Sequence, residues 1–515
     1  MLDNIIRIII IRIMFQSDSA FDALPELPFV GRTGELALLD RLWAQPGAQL
    51  LVLYGRRRTG KTRLLTRWIR QTHQRALFWS AYENPIEIQL REFSKAIFNF
   101  ANPAFPAPHD FTYATWEQAL AQVAQLAGEE RLALFLDEFT FLIAADRSIP
   151  GVFQKMWDQV LERTNLFLCL TGSHLGMMHR GVLDIQAPLY GRASALKQLL
   201  PLPYGDTQAY FPHLSAEERV TLYAIFGGVP MYWKLIDQGK PLETSLVEIL
   251  YGNGQLIDNE ANLLLHDYLS ELRHYTAILK AIAGGMNLFG DIQKETLIPA
   301  TGLPQYLNNL QATGYVARYD PVTARNPTKL GRYSITDPFL RFYFRFLFSR
   351  RDQLALGEPD QAFAEFRRHL RDFIGAHTWE ELCREWVLRA ANRSEIPLYP
   401  DYVESAWTKT GQIDVVGLNR KERHLVLGEC KWTAEPQEAA ALRALVAKTA
   451  LAIPDKGKWK LFYLGFAKNG WTTGAKAFAA ELGAGQDPDS PHEVVGCRLL
   501  DLDEIDAHLT AWAAA

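Results

Sequence analysis

The sequence predicts an α/β protein: a parallel-sheet domain, a helical segment, a helix-turn-helix unit with a wing, and a second, smaller α/β domain. Three observations carry this prediction. Four short apolar runs alternate with helical patterns between residues 29 and 203. A Gly-x-x-x-x-Gly-Lys-Thr loop directly follows the first run. Further along, a polar turn joins two apolar runs that carry Asp414, Glu429 and Lys431.

The apolar runs are Leu50–Tyr54, Ala76–Ser80, Leu132–Leu136 and Leu166–Leu170. Continuous apolar runs bounded by helices belong to a parallel sheet covered on both faces. This block spans residues 29–203. Residues 204–267 read as helical; the pattern Ala216–Phe226 stops at Gly227-Gly228-Val229-Pro230. Residues 268–350 give a helix from Tyr275, a short helix near Ile292, a helix over Leu303–Leu310 and then Gly314-Tyr-Val-Ala-Arg. That is the winged helix-turn-helix order. Residues 351–515 begin with an acidic connector, Arg351–Asp360, and then a helix. Strands follow at Gly411–Leu418, His424–Cys430 and Trp459–Phe466, with a helix over Pro436–Ala452.

The bulk properties set limits. A chain of 515 residues suggests roughly three domains. Its 48% apolar and 22% charged content is ordinary for a globular protein. A net charge of -4 provides no global basic field, so any nucleic-acid surface must be local. Cys169, Cys383, Cys430 and Cys497 form no C-x-x-C pair, which argues against zinc and fits a reducing cytoplasm. The apolar run Ile5–Met14 is interrupted by Arg7 and Arg12 and is too short to span a bilayer. Residues 1–28 are therefore expected to be an ill-defined leader, with Met14 as an alternative start. No membrane partner is expected.

The loop Gly55-Arg56-Arg57-Arg58-Thr59-Gly60-Lys61-Thr62 sits between a strand and a helix. Its glycines let backbone N–H groups face phosphates, and the helix start adds its positive dipole end. Lys61 is expected on the β- and γ-phosphates, and the Thr62 hydroxyl on magnesium. Asp137 and Glu138 end the third apolar run, a rare place for two acids. Asp137 is expected to hold magnesium, and Glu138 to orient or deprotonate the attacking water. Capping of the next helix would explain one acid, less readily two. Thr171-Gly172-Ser173 ends the following run, as a γ-phosphate sensor or as a simple cap.

Taken in order, Phe29-Val-Gly-Arg-Thr-Gly-Glu35-Leu36, the phosphate loop, the Asp-Glu strand, Thr171-Gly-Ser173, Tyr190-Gly-Arg192 and Gly227-Gly-Val-Pro230 resemble the archaeal-type ATPases. These are an AAA-related branch close to the signal-transducing STAND ATPases. The resemblance implies ATP and Mg2+ as cofactors and an AAA-type P-loop core with a helical lid. It also implies that Val30, Gly31 and Arg32 line the adenine pocket, that Ser173 is a sensor, and that Arg192 is an arginine finger or phosphate sensor. A surface ion pair is the plain alternative for Arg192.

In the last segment, strands turning about Lys421 and Glu422 place Asp414 opposite Glu429, with Lys431 on the same face. Charges converging inside apolar strands are costly unless compensated. A divalent cation between Asp414 and Glu429 would compensate them, with Lys431 acting on a metal-bound water or the attacked phosphate. The D…E-x-K pattern resembles the PD-(D/E)xK nuclease superfamily, which implies a restriction-endonuclease-like fold completed by Glu380, preferred over Glu381. The basic stretch Arg443, Lys448, Lys456, Lys458, Lys460, Lys468 and Lys476, with Trp459 and Trp471, is a candidate DNA-backbone surface or an ordinary solvated face. The wing offers Arg318, Arg325, Lys329 and Arg332, for DNA contact or for a relay between domains. The aromatic run Phe339–Phe346 is read as core rather than as a stacking platform.

The reading is an ATPase coupled to a DNA-binding, DNA-cleaving domain. The alternative is a nucleotide-controlled switch or scaffold whose C-terminal domain binds nucleic acid or protein without cleavage. A homo-oligomer and a protein partner stay open.

Overall fold

The computed structural model describes residues 28–252, 254–266, 271–351, 359–485 and 491–514. The expected leader thus lies outside the described residues but for its last position, as does most of the expected connector at 351–360. The first sheet holds β1 (Gln49–Tyr54), β2 (Ala76–Ser80), β3 (Leu132–Asp137), β4 (Leu166–Gly172) and β5 (Ala195–Gln198). All neighbours are parallel and the order is β2-β3-β4-β1-β5. β1, β3 and β4 are buried along most or all of their length, as their unbroken apolar sequence requires. β5 was not foreseen. It is a half-exposed edge strand with Leu196 at 52% exposure, so it lacks the continuous apolar signal. Because β4 lies between β1 and β3, the C-terminal ends of all three meet around one crevice, where ligands of open α/β sheets bind.

The helix Ala216–Phe226 has the expected bounds. Ser215 and Glu218 form its capping box, and Gly227 stops it at φ 57°. Next to it, Gly228 must be glycine: a Cβ there would stand 1.7 Å from the Leu202 carbonyl oxygen. Helices Leu272–Ala283, Phe289–Thr296 and Leu303–Ala312 follow, then β6 (Val316–Tyr319) paired antiparallel with β7 (Arg332–Ile335). This is the expected helix and hairpin order. Phe339, Phe342, Tyr343, Phe344 and Phe346 are all buried, which is the core reading of the aromatic run.

The C-terminal sheet holds β8 (Tyr402–Trp407), β9 (Gln412–Asn419), β10 (His424–Lys431), β11 (Lys460–Ala467) and β12 (Glu493–Asp501). It is mixed. β8, β9 and β10 are antiparallel, whereas β10, β11 and β12 run parallel. The β9–β10 register, His424 opposite Asn419 through Gly428 opposite Val415, is the one expected, and Asp414 and Glu429 occupy the next position. The outer strands β8 and β12 were not foreseen.

The final helix, Leu502–Ala514, turns back onto the helical segment behind the first sheet. There Asp506 accepts a hydrogen bond from Tyr204 Oη at 2.6 Å and forms a buried ion pair with Arg219. Gly205 lets the helix approach, since a Cβ would stand 2.2 Å from the Leu509 carbonyl oxygen. The acidic stretch Asp501–Asp506 is thus partly an internal strut. Asp506→Ala would leave Arg219 charged and buried, which costs on the order of 3–5 kcal/mol. Urea denaturation of the variant is expected to show a loss of that size.

Candidate nucleotide site and C-terminal acidic site

The phosphate loop leaves β1 at Gly55 and enters the helix Lys61–Thr72. Gly55 passes so close to the next segment that a Cβ would stand 2.4 Å from the Leu199 carbonyl oxygen. Gly60, at φ 97°, has no neighbour within 4 Å of the same position, so the front of the loop is open. Lys61 Nζ donates to the carbonyls of Gly55 (2.9 Å) and Arg56 (3.1 Å), which holds it folded along the loop. Arg32 donates to the Thr59 carbonyl (3.1 Å) and the Leu200 carbonyl (2.7 Å). The segment Val30-Gly31-Arg32 therefore lies beside the loop, where an adenine-pocket role requires it.

Across the crevice, Asp137 accepts from Thr62 Oγ1 at 2.7 Å and from Thr171 Oγ1 at 2.5 Å. Ser173 Oγ donates to Glu138 Oε2 at 2.7 Å, and the Ser173 N–H donates to the same oxygen at 3.2 Å. Glu138 occupies the N-cap position of the following helix, yet its side chain makes no cap bond. Its backbone is left-handed at φ 56°, a conformation costing roughly 1–3 kcal/mol for such a residue. The capping explanation of these acids is therefore not realised. Ser173 is no cap either, because the next helix is capped by His174.

Asp137 and Glu138 are 3% and 6% exposed. Burial pushes the Asp137 carboxyl above its ordinary range and Glu138 adds to this, opposed by Thr171, Thr62 and Lys61. Two buried acids with a hydroxyl between them and the phosphate loop form a hard-oxygen donor set. Thr62 and Asp137 fit a divalent cation, which would relieve their cost of burial. Thr171, named with Ser173 as a sensor or a cap, holds both Asp137 and, by accepting from the Glu138 N–H at 3.0 Å, the turn that carries Glu138.

Arg192 is not brought to this site. It makes a two-pronged ion pair with Asp158, both contacts at 2.7 Å, on the surface. Its neighbour Ser194 donates to the Leu50 carbonyl, level with the start of β1. The phosphate loop begins about five strand residues further on, roughly 17 Å away. The ion-pair alternative is what the structure contains, and Arg192 does not reach the loop of its own chain.

The remaining loop arginines face other parts of the chain. Arg56 pairs with Asp337 at 2.5 Å and donates to Tyr232 Oη at 3.1 Å. Arg58 pairs with Glu260 at 2.6 Å, and Glu260 accepts from Tyr232 Oη at 2.6 Å. Burial lowers the Arg56 pKa, but Asp337 above all, with Tyr232, Tyr315 and Glu260, more than offsets this and keeps it charged. Arg57 lies 5.9 Å from the Phe141 ring on the other side. Asp337, Glu260 and Tyr232 carry no motif and could not be identified without the fold.

In the C-terminal sheet, Asp414 accepts from the Cys430 N–H at 3.0 Å. Glu429 is bound by Lys431 (2.7 Å) and by Lys448 (3.2 Å), the latter from the following helix. Glu380 stands on the helix Glu380–Asn392 and accepts from Arg384 at 3.2 Å. Burial first, and Asp414 next, push the Glu380 carboxyl up to about 8. Burial and then Glu429 raise Asp414 as well. The expected residues thus gather in one place. However, no group of three or more His, Cys, Asp and Glu among the described residues is set to hold a metal ion. Glu429 faces two ammonium groups instead, so a cation between Asp414 and Glu429 does not fit the arrangement as it stands.

The expected DNA surfaces are partly spent within the chain. Arg318 pairs with Asp320, Arg325 with Asp455, and Arg332 stacks on Trp407 and donates to Gln412. The hairpin β6–β7 is therefore docked on the C-terminal domain, which favours the relay reading. Trp459 and Trp471 are buried and offer no stacking platform, whereas Lys456, Lys458, Lys460 and Lys476 remain exposed.

Residues 29–235 match a family described as an ATPase domain predominantly from Archaea. Over these residues the chain is similar to ATPase domains of this archaeal type. Residues 343–442 match a family described as Archaea bacterial proteins of unknown function. An uncharacterized protein of Methanocaldococcus jannaschii is 26% identical over 404 residues, covering 78% of this chain and 87% of that protein. A second protein of that organism, described as an uncharacterized ATP-binding protein, is 49% identical over 41 residues, 8% of this chain and 70% of that protein. Among solved structures, a Walker-type ATPase of Pyrococcus abyssi matches with TM-score 0.49 and 20% identity, covering 63% of this chain and 99% of that one. Likeness at that score carries no inference about function. Among the described residues no helix is long and apolar enough to cross a membrane.

The raised Glu380 carboxyl has a signed consequence. Its contribution to stability is fully present below the ordinary value of 4.5 and is lost as pH rises through about 8. Glu380→Gln removes the charge that burial penalises. Melting curves are expected to coincide with wild type near pH 5 and to show the variant more stable, by a few kcal/mol, near pH 9.

Proposed function

We propose that the chain is a magnesium-dependent ATPase that couples ATP hydrolysis to a C-terminal domain acting on DNA. The observation that carries the reading is the Thr62–Asp137–Thr171 and Glu138–Ser173 network facing the phosphate loop. In this reading Lys61 leaves the loop carbonyls for the β- and γ-phosphates. The backbone N–H groups from Arg58 to Thr62 hold the phosphate oxygens. Thr62 and Asp137 would hold magnesium, which would supply charge neutralisation of the phosphates. Glu138, held by Ser173, orients the attacking water and takes its proton. Val30, Gly31 and Arg32 border the base. Ser173, bonded to Glu138, is placed to report the γ-phosphate to it.

For the C-terminal domain, the exposed lysines on and beside β11 support contact with the DNA backbone. Glu380, Asp414, Glu429 and Lys431 lie together; for them to form a nuclease-like site, a cation would have to displace Lys431 and Lys448 from Glu429, which would free Lys431 for the attacked phosphate. A second reading has its own support: Glu429, neutralised by Lys431 and Lys448, needs no cation, which suits a domain that binds DNA or a protein without cleaving.

Lys61→Ala is expected to weaken ATP binding at least ~10-fold by fluorescence titration. Glu138→Gln is expected to keep binding and lose on the order of 10²–10⁴ in kcat, the usual worth of a general base. Unchanged turnover in Glu138→Gln would remove it from catalysis. For the C-terminal domain, labelled single- and double-stranded DNA is incubated with magnesium or manganese, with and without ATP. Cleavage by wild type that is absent in Lys431→Ala supports the nuclease. Binding without cleavage in either supports the switch.

A further inference from the structure

The phosphate loop is wired to the helix that carries Glu380 through one helical turn. Arg56, the second residue of the loop, pairs with Asp337 Oδ2 at 2.5 Å, and both side chains are nearly buried. The other oxygen of Asp337 accepts from the Leu340 N–H at 2.9 Å, which makes Asp337 the N-cap of the helix Pro338–Phe342. One turn later on that helix, Arg341 pairs with Glu381 at 2.7 Å, with Arg341 itself held by the Ile335 carbonyl at 3.0 Å. Glu381 neighbours Glu380 at the start of the helix Glu380–Asn392.

We propose that Asp337 and Arg341 are positioning residues that transmit occupancy of the phosphate loop to the C-terminal acidic site. This rests on the ATPase reading above. Arg56 is the only charged partner that the ion pairs among the described residues give Asp337. A triphosphate in the loop presents several negative charges within reach of Arg56 and competes directly with Asp337 for it. As that pair loosens, the short helix loses the anchor at its N-cap. Its other end moves Arg341 and, with it, Glu381. There is room for this movement. A cavity of about 590 Å³ lies beside the docked β6–β7 hairpin, and Arg341, Glu380, Glu381 and Arg384 all line it. Side chains facing a void shift without repacking a core.

The second clamp, Arg58 with Glu260, meets the first at Tyr232, whose Oη accepts from Arg56 and donates to Glu260. Among the described residues, the ion pair that leads on to the helix carrying Arg341 is the one through Asp337. By linkage, a state of the C-terminal site that favours one position of Arg341 must change ATP affinity in turn.

The test uses the full chain and two readouts. Hydrogen exchange of peptides covering 335–342 and 374–392 is measured with and without ATP and magnesium, and ATP affinity is measured by fluorescence titration. Wild type is expected to change exchange in both regions on adding ATP. Asp337→Asn keeps a capping side chain but not the charge. It is expected to bind ATP as tightly as wild type or up to ~10-fold tighter, and to lose the response at 374–392. Arg341→Gln is expected to respond at 335–342 alone, and Asp337→Glu to restore part of the coupling. An Asp337→Asn response at 374–392 equal to wild type overturns the relay, as does wild type that binds ATP without any change there. Wild type that does not bind ATP at all sinks the ATPase reading first, and the relay with it. A thermal melt of each variant separates a folding defect from lost coupling. If Asp337→Asn is unfolded, Arg341→Gln decides the matter alone.

Discussion

The buried pairing of Arg56 with Asp337 is the contact on which the arrangement of domains turns. A phosphate loop needs its backbone N–H groups and Lys61; it does not need to be held from outside. Here two of its arginines are taken by groups far along the chain, Arg56 by Asp337 and Arg58 by Glu260. Removing one partner of such a buried pair leaves an uncompensated charge, a penalty of about 3–5 kcal/mol. The geometry of the loop therefore depends on the position of the helical segments behind it. The same coupling makes those segments sensitive to whatever binds in the loop.

The C-terminal domain is tied back in more than one place. Asp506 on the final helix pairs with Arg219 behind the first sheet, and Arg332 on β7 stacks on Trp407 of β8. Arg325 joins Asp455, which also pairs with Arg420. A hairpin engaged in this way works as a spacer between two sites more readily than as a free DNA-reading element. The cavity lined by Arg341, Glu380, Glu381 and Arg384 then has a mechanical meaning, because side chains that face it have space to move.

Each site concentrates charge where burial is costly, and each resolves it differently. At the tip of β3, hydroxyls from Thr62, Thr171 and Ser173 hold two buried acids next to the phosphate loop. On β9 and β10, ammonium groups of Lys431 and Lys448 already balance Glu429, while Glu380 carries its burial as a raised pKa. The first arrangement is poised for a bound cation. The second is balanced without one.

Much of this was readable from the chain alone. A buried parallel strand must be apolar throughout and a phosphate loop must be glycine-bounded, so β1 to β4 and the loop declare themselves in local sequence. The β9–β10 register follows from a short turn and side-chain alternation, and it was right to the residue. Edge strands β5, β8 and β12 were missed because they are largely half-exposed and their apolar pattern is weaker, whereas the edge strand β2 keeps a buried apolar centre. Arg192 carried a role by position, but the fold pairs it with Asp158, away from the phosphate loop of its own chain. What only the tertiary structure decided is which charges meet across distance. Asp337, Glu260, Lys448 and Asp506 are ordinary acids and a lysine in sequence, and an ion pair leaves no local signature. Local pattern is dictated by backbone geometry and burial, which act over a few residues. Pairing of Arg56 with Asp337, 281 positions apart, depends on how whole domains stack.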